Sequence, residues 1–422
     1  MTAPASTANQ SPIAISLHAP AARDWSELFA ALTERLPTLR RALGHADAVA
    51  ISLQIPALAA FELYDPAILA QLRSLLEDNN FQVYSLDGRH FGERGAPSDD
   101  RWGACFPDWR DMRRMAYTNV LADILAELLP DDASGSISTV AIGNRKAVAA
   151  EDLPGAARNV LRFAAYLSSL RNSTGKTISL ALQPAPCCVL ETTSEVVRFF
   201  RDYLYSAIAN AHFSSAAGVA ASEAEALLRE HLGVCLDSSY MSCMYDTPAA
   251  GIQELLGARI PINKMVLANA LITNDAALTR LLPGNRALAD CAVTHRADGT
   301  LECFTDMQSA FGGLVDAAVA RHEWRIACHA PLSQAAVEPF ATSQAATREL
   351  IDAQASKPCA ALLEVNVDSL TDGRELPVAR VVREFLWVHE ALGQATQAGT
   401  RGTPNRPRRR RYPRLASIGS AF

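Results

Sequence analysis

Six polar residues stand at or near the ends of short apolar runs: Gln183, Asp237, Tyr240, Asn269, His329 and Glu364. Two carboxylates, one imidazole and amide oxygens make a donor set that a single divalent cation such as Mg²⁺, Mn²⁺ or Co²⁺ accepts. A cation held there would polarise a carbonyl or an alkoxide while a carboxylate moved a proton. That is the chemistry of aldose-ketose isomerases and epimerases. Taken singly, each of these residues serves as well as a helix cap or a buried hydrogen-bond partner. The chemistry depends on whether the fold brings the ends of the runs together.

The stretch His231 to Tyr240 states the problem in miniature. A helical run rich in Ala, Leu and Glu ends at Glu230, the apolar run Leu232 to Leu236 follows, and Asp237 closes it. Short apolar runs bounded by polar residues fit buried parallel strands. In a parallel α/β barrel the chemistry sits at the C-terminal strand ends, which is where Asp237 falls.

Similar runs recur along the chain, at Ile13 to Leu17, Ala48 to Ile55, Phe81 to Leu86, Gly135 to Ile142, Thr177 to Leu182 and Ile262 to Leu267. Helical patterns separate them, including a Thr192-x-x-Glu195 start that fits a capping box. One continuous helix is expected over Thr193 to Asn210, then an Ala/Ser-rich loop over Ala211 to Ala221. Another helix is expected over Trp109 to Leu129. Alternation of this kind argues for an all-parallel α/β fold. No early strand carries Gly-x-Gly-x-x-Gly and no Walker A sequence is present, so a TIM (β/α)8 barrel is preferred to an open doubly wound sheet.

Late in the chain the rhythm breaks. Leu288 to Phe304 reads as an inserted β-hairpin about Ala297-Asp298-Gly299. Trp324 to Cys328 and Ala360 to Val365 are two further strand candidates, one more than a closed barrel needs. Ala360 to Val365 is the favoured closing strand.

Composition bounds the class. The 422 residues are 49% hydrophobic and 20% charged, enough for a large core. No apolar run is long enough to span a bilayer and no secretory signal opens the chain, so a cytoplasmic protein is expected. Nine cysteines with no Cys-x-x-Cys pair suggest reduced, buried thiols. Seven arginines follow Glu390, the last acidic residue, so the net charge of −6 becomes −13 without them. An acidic body makes nucleic acid an unlikely partner by expectation. Residues 1–11 and the basic tail 394–422 are read as disordered, flanking one barrel domain over 12–393.

Several segments together resemble the EboE-type metabolite traffic proteins of the xylose-isomerase-like TIM-barrel superfamily. They are Phe106-Pro-Asp-Trp-Arg-Asp with Met115-Ala-Tyr-Thr, Gly135-Ser-Ile-Ser-Thr-Val, Leu180-Ala-Leu-Gln-Pro-Ala-Pro with Leu190-Glu-Thr-Thr, His231-Leu-Gly-Val-Cys-Leu-Asp, Ile262-Asn-Lys-Met-Val-Leu, Glu323-Trp-Arg with His329-Ala-Pro, and Leu363-Glu-Val. The resemblance implies a barrel with its site at the C-terminal strand ends. It also implies a role in processing or moving a small metabolite, alongside other proteins of the same operon.

By that resemblance Asp237, His329, Glu364 and Gln183 are the candidate ligands of one divalent ion (Mn, Mg, Co or Zn). Asp237 and Glu364 are the candidate catalytic carboxylates. Gln183, Tyr240, Lys264 and Arg89 are the candidate substrate-binding residues. The departures from the pattern weaken the set. Gln183 stands where a Glu is usual and Tyr240 where a His is expected. Val266 occupies a polar position, Ala327 replaces one of two histidines, and Ala185 and Asn366 each replace a second Glu. Gln183 carries no charge and Val266 cannot ligate. Two expectations follow: a metal-assisted isomerase or epimerase, or an impaired barrel that binds a metabolite or partner protein without turnover. His90, after Asp87-Gly88-Arg89, is read as a loop histidine.

Overall fold

The computed structural model describes residues 11–19, 22–44, 47–91, 106–274, 292–295, 300–304, 310, 323–366 and 378–399. Seven parallel strands come first: β1 (Ile13–Leu17), β2 (Val49–Gln54), β3 (Phe81–Asp87), β4 (Ser134–Val140), β5 (Thr177–Gln183), β6 (Leu232–Asp237) and β7 (Ile262–Leu267). After an insertion, β14 (Leu363–Val365) lies between β7 and β1 and closes an eight-stranded barrel. The fold is a TIM barrel, and the favoured run Ala360 to Val365 supplies its closing strand.

Trp324 to Cys328 belongs elsewhere. It lies within β11 (Glu323–Ala330), in a six-stranded antiparallel sheet with β8 (Asn269–Asn274), β9 (Ala292–His295), β10 (Leu301–Phe304), β12 (Ala336–Val337) and β13 (Phe340–Thr342). The inserted hairpin is present as the antiparallel pair β9 and β10; its turn at Ala297-Asp298-Gly299 lies outside the described residues. The insertion is larger than a hairpin because β8, starting two residues after β7, and the short β12 and β13 join it. Short polar strands such as Asn269–Asn274 carry too weak an alternation to be recognised alone. Residues 1–10, 92–105 and 400–422 also lie outside the described residues. Residues 394–399, read as the start of a disordered tail, instead complete the helix Val378–Gly399, whose apolar face packs on the barrel.

Helices cover the outside of the barrel. Trp25–Leu43 starts at Asp24, whose carboxylate accepts the Glu27 N–H, and buries Leu28, Leu32, Leu36 and Leu39 at helical spacing. The capping box forms as expected: Thr192 Oγ1 accepts the Glu195 N–H and Glu195 accepts the Thr192 N–H. Three helical expectations change. Met112, not Trp109, opens its helix, because Asp111 caps it while Trp109 is buried ahead of it. The helix from Thr193 breaks before Ser206, which caps a new helix over Ala207–Ala217. That new helix takes in most of the stretch read as a loop; its alanines are strong helix formers and outweigh the serines.

The barrel interior is unusually small and polar. Ser16, Ser52, Ser85, Ser136 and Ser179 stand in register across β1 to β5, and all are buried. Large branched residues normally fill such a barrel. Here the small side chains leave room for a long one, Lys264, which is 1% exposed. None of the seven described cysteines is in a disulfide, and four of them are buried. No helix among the described residues is long and apolar enough to cross a membrane.

Candidate functional site

All eight barrel strands run the same way, so their C-terminal ends meet at one mouth. Gln183 ends β5, Asp237 ends β6, and Glu364 sits in register with Val266, which is itself in register with Asp237. Side-chain alternation turns all of them inward. A small cavity of about 10 Å³ lies at this mouth, and Asp237 is not among the residues that line it. Gln183, Tyr240, Lys264, Arg89, His329 and Glu364 all line it.

Asp237 does two jobs at once. Its Oδ1 accepts the Ser239 and Tyr240 N–H groups and starts the helix Ser238–Cys243. Its Oδ2 accepts from Gln183 Nε2 at 3.3 Å and lies 3.2 Å from His329 Nε2. The capping role and the site role are therefore compatible. His329 reaches the mouth from the inserted sheet. The register of β11 against β8 shifts between Ile326 and Ala330, and His329 has a φ of 45° within that irregularity. Bulges of this kind re-aim a side chain next to a site.

Glu364 is engaged differently. Its Oε2 accepts a hydrogen bond from Lys264 Nζ at 2.8 Å, with both side chains almost fully buried. Lys264 also donates to Ser138 Oγ at 2.9 Å. Burial opposes the lysine charge, but Glu364, Cys235 and Asp87 outweigh it and push its pKa above the ordinary value. Burial alone would raise the Asp87 carboxyl. The charges of Lys264, His90, His18 and Arg89 instead hold it well below the usual carboxylate range.

Three residues outside the candidate set also belong to the site, two of them already marked by the sequence: Asp87 at a strand end whose segment could reach the barrel mouth, and Asn366 where a second Glu is usual. His18 follows β1, Asp87 ends β3 and Asn366 follows β14; all three line the cavity. The strand-end argument that picked Asp237 applies equally to Asp87. His90, read as a loop histidine, is 9% exposed and lines the cavity. Its segment is fixed from behind: Arg114 donates to the carbonyls of Pro107, Gly88 and Arg89, and Tyr117 Oη donates to those of Ile55 and His90. Arg89 in turn lies 4.9 Å over the Tyr240 ring. Asn269 is placed away from the cavity. It opens β8, donates to the Pro331 carbonyl and accepts from Thr347, so its role is to join two segments.

The expected donor set does not fit a divalent cation as arranged. Among the described residues no group of three or more His, Cys, Asp and Glu side chains stands close enough to hold a metal ion. Glu364 already has an ammonium against it, and the position between Asp237 and Glu364 is Val266. A divalent ion on Glu364 would have to sit beside a buried positive charge.

No protein-family model matches the sequence, and no curated protein matches it. Solved structures with a similar course of the chain include an L-ribulose 3-epimerase, at 14% identity and a TM-score of 0.47, covering 92% of this chain and 99% of that one. Another is the probable 3-DHS dehydratase AsbF from Bacillus anthracis, at 11% and 0.45, covering 89% and 98%. A third is an IOLI protein with a binding zinc atom, at 11% and 0.46, covering 91% and 99%. At these identities and scores the likeness carries no argument about chemistry.

Proposed function

We propose that this protein binds a small, polar, hydroxylated metabolite at the C-terminal mouth of its barrel and serves in the processing or traffic of that metabolite. The observation that carries the reading is the collection of opposed charges around one cavity. Asp87 and Glu364 stand there with Lys264 and Arg89, and His18, His90 and His329 also line the cavity. A dense set of fixed donors and acceptors at strand ends suits vicinal hydroxyls and a carbonyl. The resemblance to EboE-type proteins points to the same ligand class. The present cavity takes about one water, so entry of a ligand requires the mouth to open.

Binding without metal-assisted turnover suits the arrangement better than an isomerase does, because Glu364 is held by Lys264 and not free to ligate or to act as a base. The Asp237–His329 pair keeps proton transfer as a second reading. The test is a thermal-shift and calorimetric screen of pentoses, hexoses, their phosphates and sugar acids against the chelator-treated protein. At least one member should bind, and Asp87→Asn should weaken it. Each ligand that binds is then checked for conversion by NMR. A screen in which no polyhydroxylated compound binds would sink the reading.

A further inference from the structure

A buried lysine holds one member of the expected metal set, Glu364. Lys264 Nζ lies 2.8 Å from Glu364 Oε2 and 2.9 Å from Ser138 Oγ, and Ser138 Oγ is in turn 3.4 Å from Asp87 Oδ1. Two hard oxygens, one of them on a carboxylate, touch the ammonium, and the Asp87 carboxylate reaches it through Ser138, with the Cys235 thiol also near. Oxygen donors of this kind are what Mg²⁺ and Mn²⁺ take, usually with water completing the shell. The side chain is 1% exposed, and the serines that line β1 to β5 leave the space it fills. Val266, in register between Asp237 and Glu364, offers no competing ligand.

We propose that Lys264 is a resident cation that occupies the place of a divalent metal ion, so that the wild-type protein is metal-independent and loss of this side chain opens a cation site at Asp87, Ser138 and Glu364. A covalently attached ammonium provides one positive charge that no chelator removes. It lines the cavity and is placed to meet a carbonyl or hydroxyl oxygen of the ligand. Only this last step rests on the proposed function; the exchange of ammonium for metal stands without any metabolite.

The experiment uses the full chain and Mn²⁺ alone. Wild type should show no saturable Mn²⁺ binding and no change in melting temperature with Mn²⁺. Lys264→Ala should bind one equivalent of Mn²⁺, gain melting temperature on its addition, and lose both effects when Glu364→Gln is added. Lys264→Gln, which keeps a donor toward Glu364 and Ser138, provides a second variant, and Mn²⁺ present during refolding should raise the yield of whichever variant folds poorly. The proposal is overturned if wild type binds an equivalent of Mn²⁺ that Glu364→Gln abolishes. It is equally overturned if neither lysine variant gains binding, melting temperature or refolding yield with Mn²⁺. Failure of the metabolite screen changes none of these outcomes.

Discussion

Removing Lys264 while leaving Glu364 in place should be among the most damaging single changes in this protein. Lys264→Met retains much of the side-chain volume but leaves Glu364, 2% exposed, without its ammonium. Breaking a buried pair in this way costs about 3–5 kcal/mol, because a charge is left in a medium that cannot solvate it. Glu364→Gln should cost less, since Asp87 still faces the lysine. The double variant Lys264→Met with Glu364→Gln removes both charges together. Asp87 then keeps His90, His18 and Arg89 nearby. The double variant should therefore be less destabilised than the sum of the singles, by roughly 1–3 kcal/mol. Urea unfolding followed by circular dichroism gives the four stabilities. Because the folded pKa of Lys264 is raised, its contribution is fully present below the unfolded lysine value of about 10.4 and is lost only as pH rises through the folded value. The coupling should hold through neutral pH. Strict additivity of the two substitutions would refute the reasoning, since it would mean that the two charges do not sense each other.

Two other outcomes follow from features around the same strands. His231 donates through Nδ1 to the Ile178 carbonyl, and burial lowers its pKa against that bond. The unfolded chain binds the proton more readily, so this contribution is present above the unfolded value of about 6.5 and falls away as pH drops toward the folded value. His231→Gln should flatten the dependence of melting temperature on pH in that window, and an unchanged slope would count against it. At Gly233 a Cβ would come within 1.7 Å of Asn263 Oδ1 and 2.4 Å of the Pro261 carbonyl oxygen. The asparagine can rotate but the backbone carbonyl cannot, so Gly233→Ala should cost about 1–3 kcal/mol or more by overpacking. A melting temperature equal to wild type would show that β6 shifts freely.

The sequence alone determined the alternation of strand and helix and the placement of Asp237 at a strand end, because these depend on local runs of apolar residues and their boundaries. It offered two candidates for the closing strand, and only the pairing of Leu363–Val365 with β1 and β7 decided between them. The sequence also marked Lys264 and Glu364, but not that one would hold the other; they are 100 residues apart and meet only because β7 and β14 are neighbours in the barrel. Register decided that Val266, not a ligand, stands between Asp237 and Glu364. Closure of the barrel brought His18, Asp87 and His90 into the same cavity, and the inserted sheet, with its irregular register at β11, delivered His329. Local pattern fixes which way a strand alternates. Which charge faces which across a barrel is set by shear and strand order, and those exist only when the sheet has closed.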